Sequence, residues 1–208
     1  MPASRAVGGW RFPADPAVSA FVARPTWQPT LFPAVLIVTA APDGFAASSL
    51  PDARTLPIVG ELTGDGLHAI AADGEGDHQL WFETGAKPIH AAILLPVDPY
   101  FWWRHRNAGR LVRRLERHRA GHWPRAQHLS RFQLHRAALM LRAWDGVESG
   151  ASRRIVAGLL LNKNVEALRA IDWKNAPERR QLARILTACR DMIEGGYLRW
   201  LTPRDTDL

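Results

Sequence analysis

The sequence predicts an α+β protein, a small N-terminal antiparallel sheet followed by a helical domain. Two observations predict it: how charge is distributed and how the apolar residues recur. Residues 1–97 carry 5 Lys or Arg against 9 Asp or Glu, a net of −4, and residues 98–208 carry 22 against 11, a net of +11. The overall +7 therefore arises in the second part, where 20 of the 22 cations are Arg. The apolar period changes at the same place, from short alternating runs to the spacing of helices. Together these breaks divide the chain into 1–97, an irregular segment and sheet module, and 98–208, a helical module.

In the first module, apolar runs at Val35–Thr39, Leu56–Leu62, Leu67–Ala71, Leu80–Glu83 and His90–Leu95 read as about five strands. Pro42-Asp43-Gly44, Gly64-Asp65-Gly66 and Asp73-Gly74-Glu75-Gly76-Asp77 separate them and supply the positive φ and side-chain capping of tight turns. The last of these has a calcium-loop flavour, but it lacks the closing acidic ligand of an EF-hand and reads as a hairpin turn. Before the strands, Met1–Pro33 is rich in Pro, Ala and Trp and is expected to cross the sheet as irregular chain.

Helices follow. Asp98 is positioned to cap the first, with Pro99 where a missing N–H is harmless, and it should run to about Arg119 before Gly121. At about 100° per residue, Phe101, Ala108, Leu111, Val112 and Leu115 share one face and Arg106, Arg110, Arg113 and Arg117 line the other. A second helix is expected from Ser130 to about Trp144, burying Leu134, Ala137, Ala138, Leu141 and Trp144, and stopping at Asp145-Gly146. Ser152 caps a short third, Arg153–Leu161. The fourth begins near Asn175, with Pro177 in its first turn, and ends at Gly195-Gly196. Its buried face is Leu182, Ile185, Leu186, Cys189 and Ile193, so Arg180, Arg184 and Thr187 point away. Polar outward residues at the start of the last of three such helices suit a helix-turn-helix variant, which completes the fold class.

Several function classes are excluded. A single cysteine, Cys189, leaves no internal disulfide and no Cys-rich zinc site. His118 and His122 have helical spacing but Gly121 lies between them, and no carboxylate or Cys completes a ligand set. No nucleophile elbow, Walker loop or zincin motif is present, so neither an enzyme nor a cofactor is expected. Apolar runs such as Ala91–Leu95 are too short to span a bilayer, and Met1–Arg11 lacks the apolar core of a signal peptide. The expectation is a cytoplasmic protein with no membrane partner.

Arg presents a planar fork of donors that fits phosphate, so the basic half points to a polyanion, with double-stranded DNA first. The stripe on the first helix is open to two readings, phosphate contact or a solvated face paired with the acidic sheet module. Trp102 and Trp103 are open to base stacking or to packing.

A resemblance adds to this reading. Leu94–Asp98, Ala137–Gly146, Gly150–Ala157, Trp173-Lys174 and Glu194–Tyr197 resemble the proteobacterial regulator domain known as domain-of-unknown-function family 2285, and Gly9–Pro13 resembles the region preceding it in longer members. The resemblance is strongest from residue 94 onward. It implies a DNA-binding transcriptional regulator of conjugative or integrative elements, or an antiactivator or co-regulator that binds another regulator without contacting DNA. It also implies that an upstream module can be supplied by a separate chain. Ser152–Leu160 would be the first helix of the motif and Asn175–Glu194 the groove helix, joined by an unusually long link, Leu161–Lys174. Members carry hydroxyl residues where this chain has Asn175-Ala176-Pro177, and a Tyr or acidic residue where it has Arg153-Arg154. The expected DNA-binding residues are Arg153, Arg154, Lys174, Asn175, Arg180 and Arg184, with Arg106, Arg110, Arg113 and Arg117 as auxiliary backbone contacts.

Overall fold

A computed structural model describes residues 25–47, 50, 58–85, 87–124 and 128–203, with backbone alone at 58, 59 and 61. Gly9–Pro13 and the first 24 residues of the irregular segment lie outside the described residues. The chain forms two compact units, Met1–Gln127 with Leu201–Leu208, and His128–Trp200.

The first unit is built on five strands: β1 (Leu36–Ala40), β2 (Ile58–Thr63), β3 (Gly66–Ala71), β4 (His78–Phe82) and β5 (Ala91–Leu94). Their order is β2-β3-β4-β1-β5. Every neighbouring pair is antiparallel except β1 with β4, where Leu36 lies opposite Leu80. Burial alternates along β1 and β4, so Leu36, Val38, Leu80 and Phe82 share one inner face. The turn Asp73–Asp77 joins β3 to β4, as a hairpin should. Asp73 accepts from the Glu75 N–H at 2.7 Å and Asp77 from the Asp73 N–H at 3.1 Å, while Gly76 takes a φ of +119° against the Trp123 ring.

The first helix, α1 (Phe101–Leu115), belongs to this unit. Ala108 and Leu111 close the core over Leu36, Val38, Ala69, Ala71, Leu80 and Phe82, with Leu115 beside them. Compactness thus keeps α1 with the sheet, beyond the change in charge and period at 97. The helix is shorter than its sequence expectation at both ends. Asp98 acts ahead of it, its carboxylate accepting the Tyr100 N–H at 2.9 Å and its carbonyl the Phe101 N–H at 3.0 Å. At the other end Arg117 turns left-handed (φ 63°), and the Arg117 and His118 N–H groups close back on the Arg114 and Arg113 carbonyls. That closure satisfies orphan carbonyls and stops the helix four residues before Arg119.

The second unit contains α2 (Arg131–Glu148), α3 (Arg153–Leu160), a 3-10 turn (Lys163–Ala167), α4 (Ala170–Asn175), α5 (Pro177–Ile193) and a last 3-10 turn (Gly196–Trp200). Its core is Ala143, Val156, Ala157, Val165, Leu182 and Leu186, flanked by Trp144, Val147 and Trp173. Ser130 and Gln133 form a reciprocal capping box on α2, which runs through Gly146 rather than stopping there. Its face also differs from expectation: Met140 and Ala143 are buried, whereas Leu134, Ala138 and Leu141 are exposed. Sequence periodicity sees two apolar stripes on this helix and cannot rank them; packing against α3 and α5 does. The link before the last helix is also not irregular chain. It holds the 3-10 turn and α4, and α5 starts at Pro177, two residues later than Asn175.

Candidate nucleic-acid interface

The second unit carries 13 Lys or Arg against 7 Asp or Glu. Leu182, Leu186 and Cys189 turn one face of α5 into the core, and this fixes the opposite face outward. Arg180, Arg184 and Thr187 lie there, all exposed, with the cations in the N-terminal half of the helix. Arg179, which sequence reasoning passed over, is exposed beside them and donates to the Lys174 carbonyl at 3.1 Å. Its adjacency to Arg180 was the available signal. No side chain caps α5; Glu178 in its first turn is held below the usual carboxylate range, chiefly by the Asn162 amide donating at 2.9 Å.

Ser152 caps α3 by accepting the Ile155 N–H, and Arg153 is exposed in the first turn. Arg154 is differently employed. Its guanidinium donates to the carbonyls of Val165 (3.0 Å), Glu166 (2.5 Å) and Leu168, so it closes the 3-10 turn against α3. These carbonyls lie at the end of the 3-10 turn, where a fork of donors can reach all three. Lys174 and Asn175 are exposed at the end of α4, not at the start of the last helix.

The α1 arginines belong to the first unit and do not form a continuous outward stripe. Arg106 is exposed, with its guanidinium 5.6 Å from the centre of the Trp103 ring. Arg113 is exposed but donates twice to the Ala120 carbonyl, at 3.1 and 2.8 Å. Arg117 is exposed at the left-handed turn. Arg110 is 3% exposed and donates to the carbonyls of Gly121 (2.8 Å), Gly76 (2.9 Å) and Glu75 (3.2 Å). The ideal wheel placed it outward because it treats solvent as the only home for a guanidinium. Here the hairpin turn and the chain after α1 offer carbonyls to fill it. Around it Arg114 pairs with Asp73 at 3.1 Å and Arg119 with Glu75 at 2.7 Å, so part of the basic surface is matched by the acidic hairpin. Arg104, buried, pairs with Asp98 at 3.2 Å and donates to the Pro29 carbonyl at 2.8 Å. Trp103 is buried and Trp102 exposed, which divides that aromatic pair between core and surface.

Among the described residues no group of three His, Cys, Asp or Glu is placed to hold a metal, and no helix is long and apolar enough to cross a membrane. Burial pushes the Cys189 thiol up, which keeps it protonated and unreactive.

The geometry is that of a basic helical unit with one outward cationic helix face, and comparison with known families decides its class. A family model described as "T6SS, Transcription factor, DNA binding domain" matches residues 94–202. The chain belongs to this family. The match begins where the sequence resemblance was strongest and carries its regulator part, but it is to this transcription-factor family and not to family 2285. A model described as a domain of unknown function, DUF7012, matches residues 34–93, which hold the five strands. No curated protein matches the chain. Membership of the transcription-factor family makes this a DNA-binding regulator in its coarse function.

Proposed function

We propose that the chain is a transcriptional regulator that seats the N-terminal half of α5 in the major groove of double-stranded DNA. Arg180 and Arg184 are the base-reading pair, since Arg meets guanine bidentately and groove-facing residues cluster at the start of a recognition helix. Arg153, Lys174, Asn175 and the added Arg179 lie on the same unit as phosphate contacts. In this reading Arg154 acts by holding α3 to the 3-10 turn, and Arg110 by holding α1 to the hairpin. Arg106, Arg113 and Arg117 remain as auxiliary backbone contacts of the first unit. The functional module by charge and period is then 98–208, although its first helix, α1, packs on the sheet.

The observation that carries the proposal is the outward cationic face of α5 within a chain of this DNA-binding family. Regulation of conjugative or integrative elements rests on the motif resemblance alone, while the matched family is described by T6SS. A cytoplasmic location follows from the DNA partner. The competing function is an antiactivator or co-regulator whose cationic face grips an acidic regulator or a separately encoded module. Titration of the whole chain against random duplex and against its own promoter region, at two salt concentrations, separates them. Promoter-selective binding with a steep salt dependence is expected; no binding to either duplex at low salt would leave the protein-partner reading.

A further inference from the structure

The outward face of α5 carries more order than its two base-reading arginines. Arg180, Arg184, Thr187 and Asp191 are all exposed and follow one another at intervals of four, three and four residues. At about 3.6 residues per turn they form one line, with about one turn between neighbours. The core side chains Leu182, Leu186 and Cys189 lie on the opposite side of the helix. Ala183, one turn before Thr187, is exposed and small, so the backbone there can come close to a partner surface. A side chain as short as Thr reads a base only from such close approach.

The cations near this line divide into two kinds. Arg154 and Arg179 are held by backbone carbonyls of the chain. Arg180 and Arg184 have no such partner among the described residues. Glu178, the carboxylate of the first turn, lies off the line and is bonded by the Asn162 amide at 2.9 Å, half-buried against the link. The line therefore opens with two unengaged forks of donors, continues with a hydroxyl and a methyl group, and ends in a carboxylate.

We propose, resting on the reading that α5 enters the major groove, that this line specifies three consecutive base pairs: a G·C pair read by Arg180, a second G·C pair read by Arg184, and an A·T pair read by Thr187. Spacing sets the count. On a helix that follows the groove, side chains about one turn apart meet successive bases, as they do in zinc fingers. Chemistry sets the bases: Arg donates two N–H groups to guanine O6 and N7, and the Thr methyl packs on the methyl of thymine. Thr187 is thus a third specificity residue. Asp191 closes the line, because its carboxylate, one turn beyond Thr187, repels the phosphates that an Arg would attract. The readout stops at the third pair, and the N-terminal half of α5 alone seats in the groove.

Selection of bound sequences from a random duplex pool by the whole chain tests this apart from the reading it rests on. The enriched sites should share two adjacent G·C pairs followed by an A·T pair. Arg180→Ala should erase the first preference alone and Arg184→Ala the second alone, each a loss of about tenfold in discrimination at that pair. Thr187→Ser keeps the hydroxyl and removes the methyl, and it should relax the third pair alone by about fourfold. Arg184→Gln should turn the second preference from G·C to A·T, since Gln meets adenine bidentately; a residue needed only for the fold would lose binding without changing the sequence bound. All three side chains are exposed, so circular dichroism should show wild-type helical content. Should an alanine variant lose helicity, Arg184→Gln, which keeps a long polar side chain, decides the case. Duplex binding with no shared triplet, a triplet of other composition, or single variants that shift all three pairs alike would overturn the proposal while leaving α5 a DNA-contacting helix. Absence of binding to any duplex would overturn both.

Discussion

In Arg110 a guanidinium that charge patterning assigns to solvent is held by three backbone carbonyls. Arg110→Gln leaves those acceptors short of donors inside the first unit, and thermal or denaturant unfolding should show a loss of about 2–4 kcal/mol. Arg117 makes the opposite case. Its left-handed conformation costs a side-chain-bearing residue about 1–2 kcal/mol, which Gly does not face. Arg117→Gly should therefore raise the unfolding midpoint; a fall would mean that the Arg117 side chain contributes more than the strain removes. His78 sets a pH dependence. Burial first, then the Arg110 guanidinium, pushes its imidazole down to about 4, against the pull of Asp73 at 3.7 Å. The native state therefore resists a proton that the unfolded chain accepts near 6.5. Stability is complete above that value and falls as pH drops from about 6.5 towards 4, by about 3 kcal/mol in all. His78→Gln should flatten the profile in that window, and an unchanged slope would remove His78 as its cause.

At the scale of elements, Arg180→Ala with Arg184→Ala should weaken promoter binding by about 1–3 kcal/mol per lost base contact. Helical content should stay unchanged, since neither side chain faces the core. For Arg106 and Arg117 the expected signature is different: conversion to Gln should weaken all duplexes alike and flatten log affinity against log salt by about 0.9 per lost contact. The five strands, the caps at Ser130 and Ser152 and most of the buried face of α5 were legible because turn residues, capping residues and a single clean stripe leave one answer; Ile193, expected on that face, is 53% exposed in the last turn, where the helix has run past its core. The inner face of α2 was not legible, because Leu134 and Leu141 score as well as Met140 and Ala143 until a neighbour is chosen. The roles of Arg110 and Arg154 were hidden for a related reason. Their partners are carbonyls, which every residue carries and no sequence pattern marks. The α4 helix was missed because six residues between Arg169 and Ala176 have no side-chain cap and no room for a period.

For the whole molecule, charge and compactness divide the chain at different places, and fragments distinguish what each division means. A fragment from Asp98 onward strips α1 of the sheet that covers Ala108 and Leu111, and it should aggregate. His128–Trp200 retains every member of its own core and should unfold cooperatively with a helical spectrum; a non-cooperative melt would show that the second unit depends on the first. The first unit also draws its chain from both sides of the second: Leu201 packs with Phe32, Ala34 and Val35 beside Trp27, Trp81 and Trp123. During folding this imposes an order of events. The helical unit joins neighbours in sequence, whereas the sheet unit must pair β1 with the distant β4 and bring Leu201 back to Phe32, Ala34 and Val35. Contacts between near neighbours form faster than those between distant ones, so the helical unit should be complete while the sheet unit is still closing.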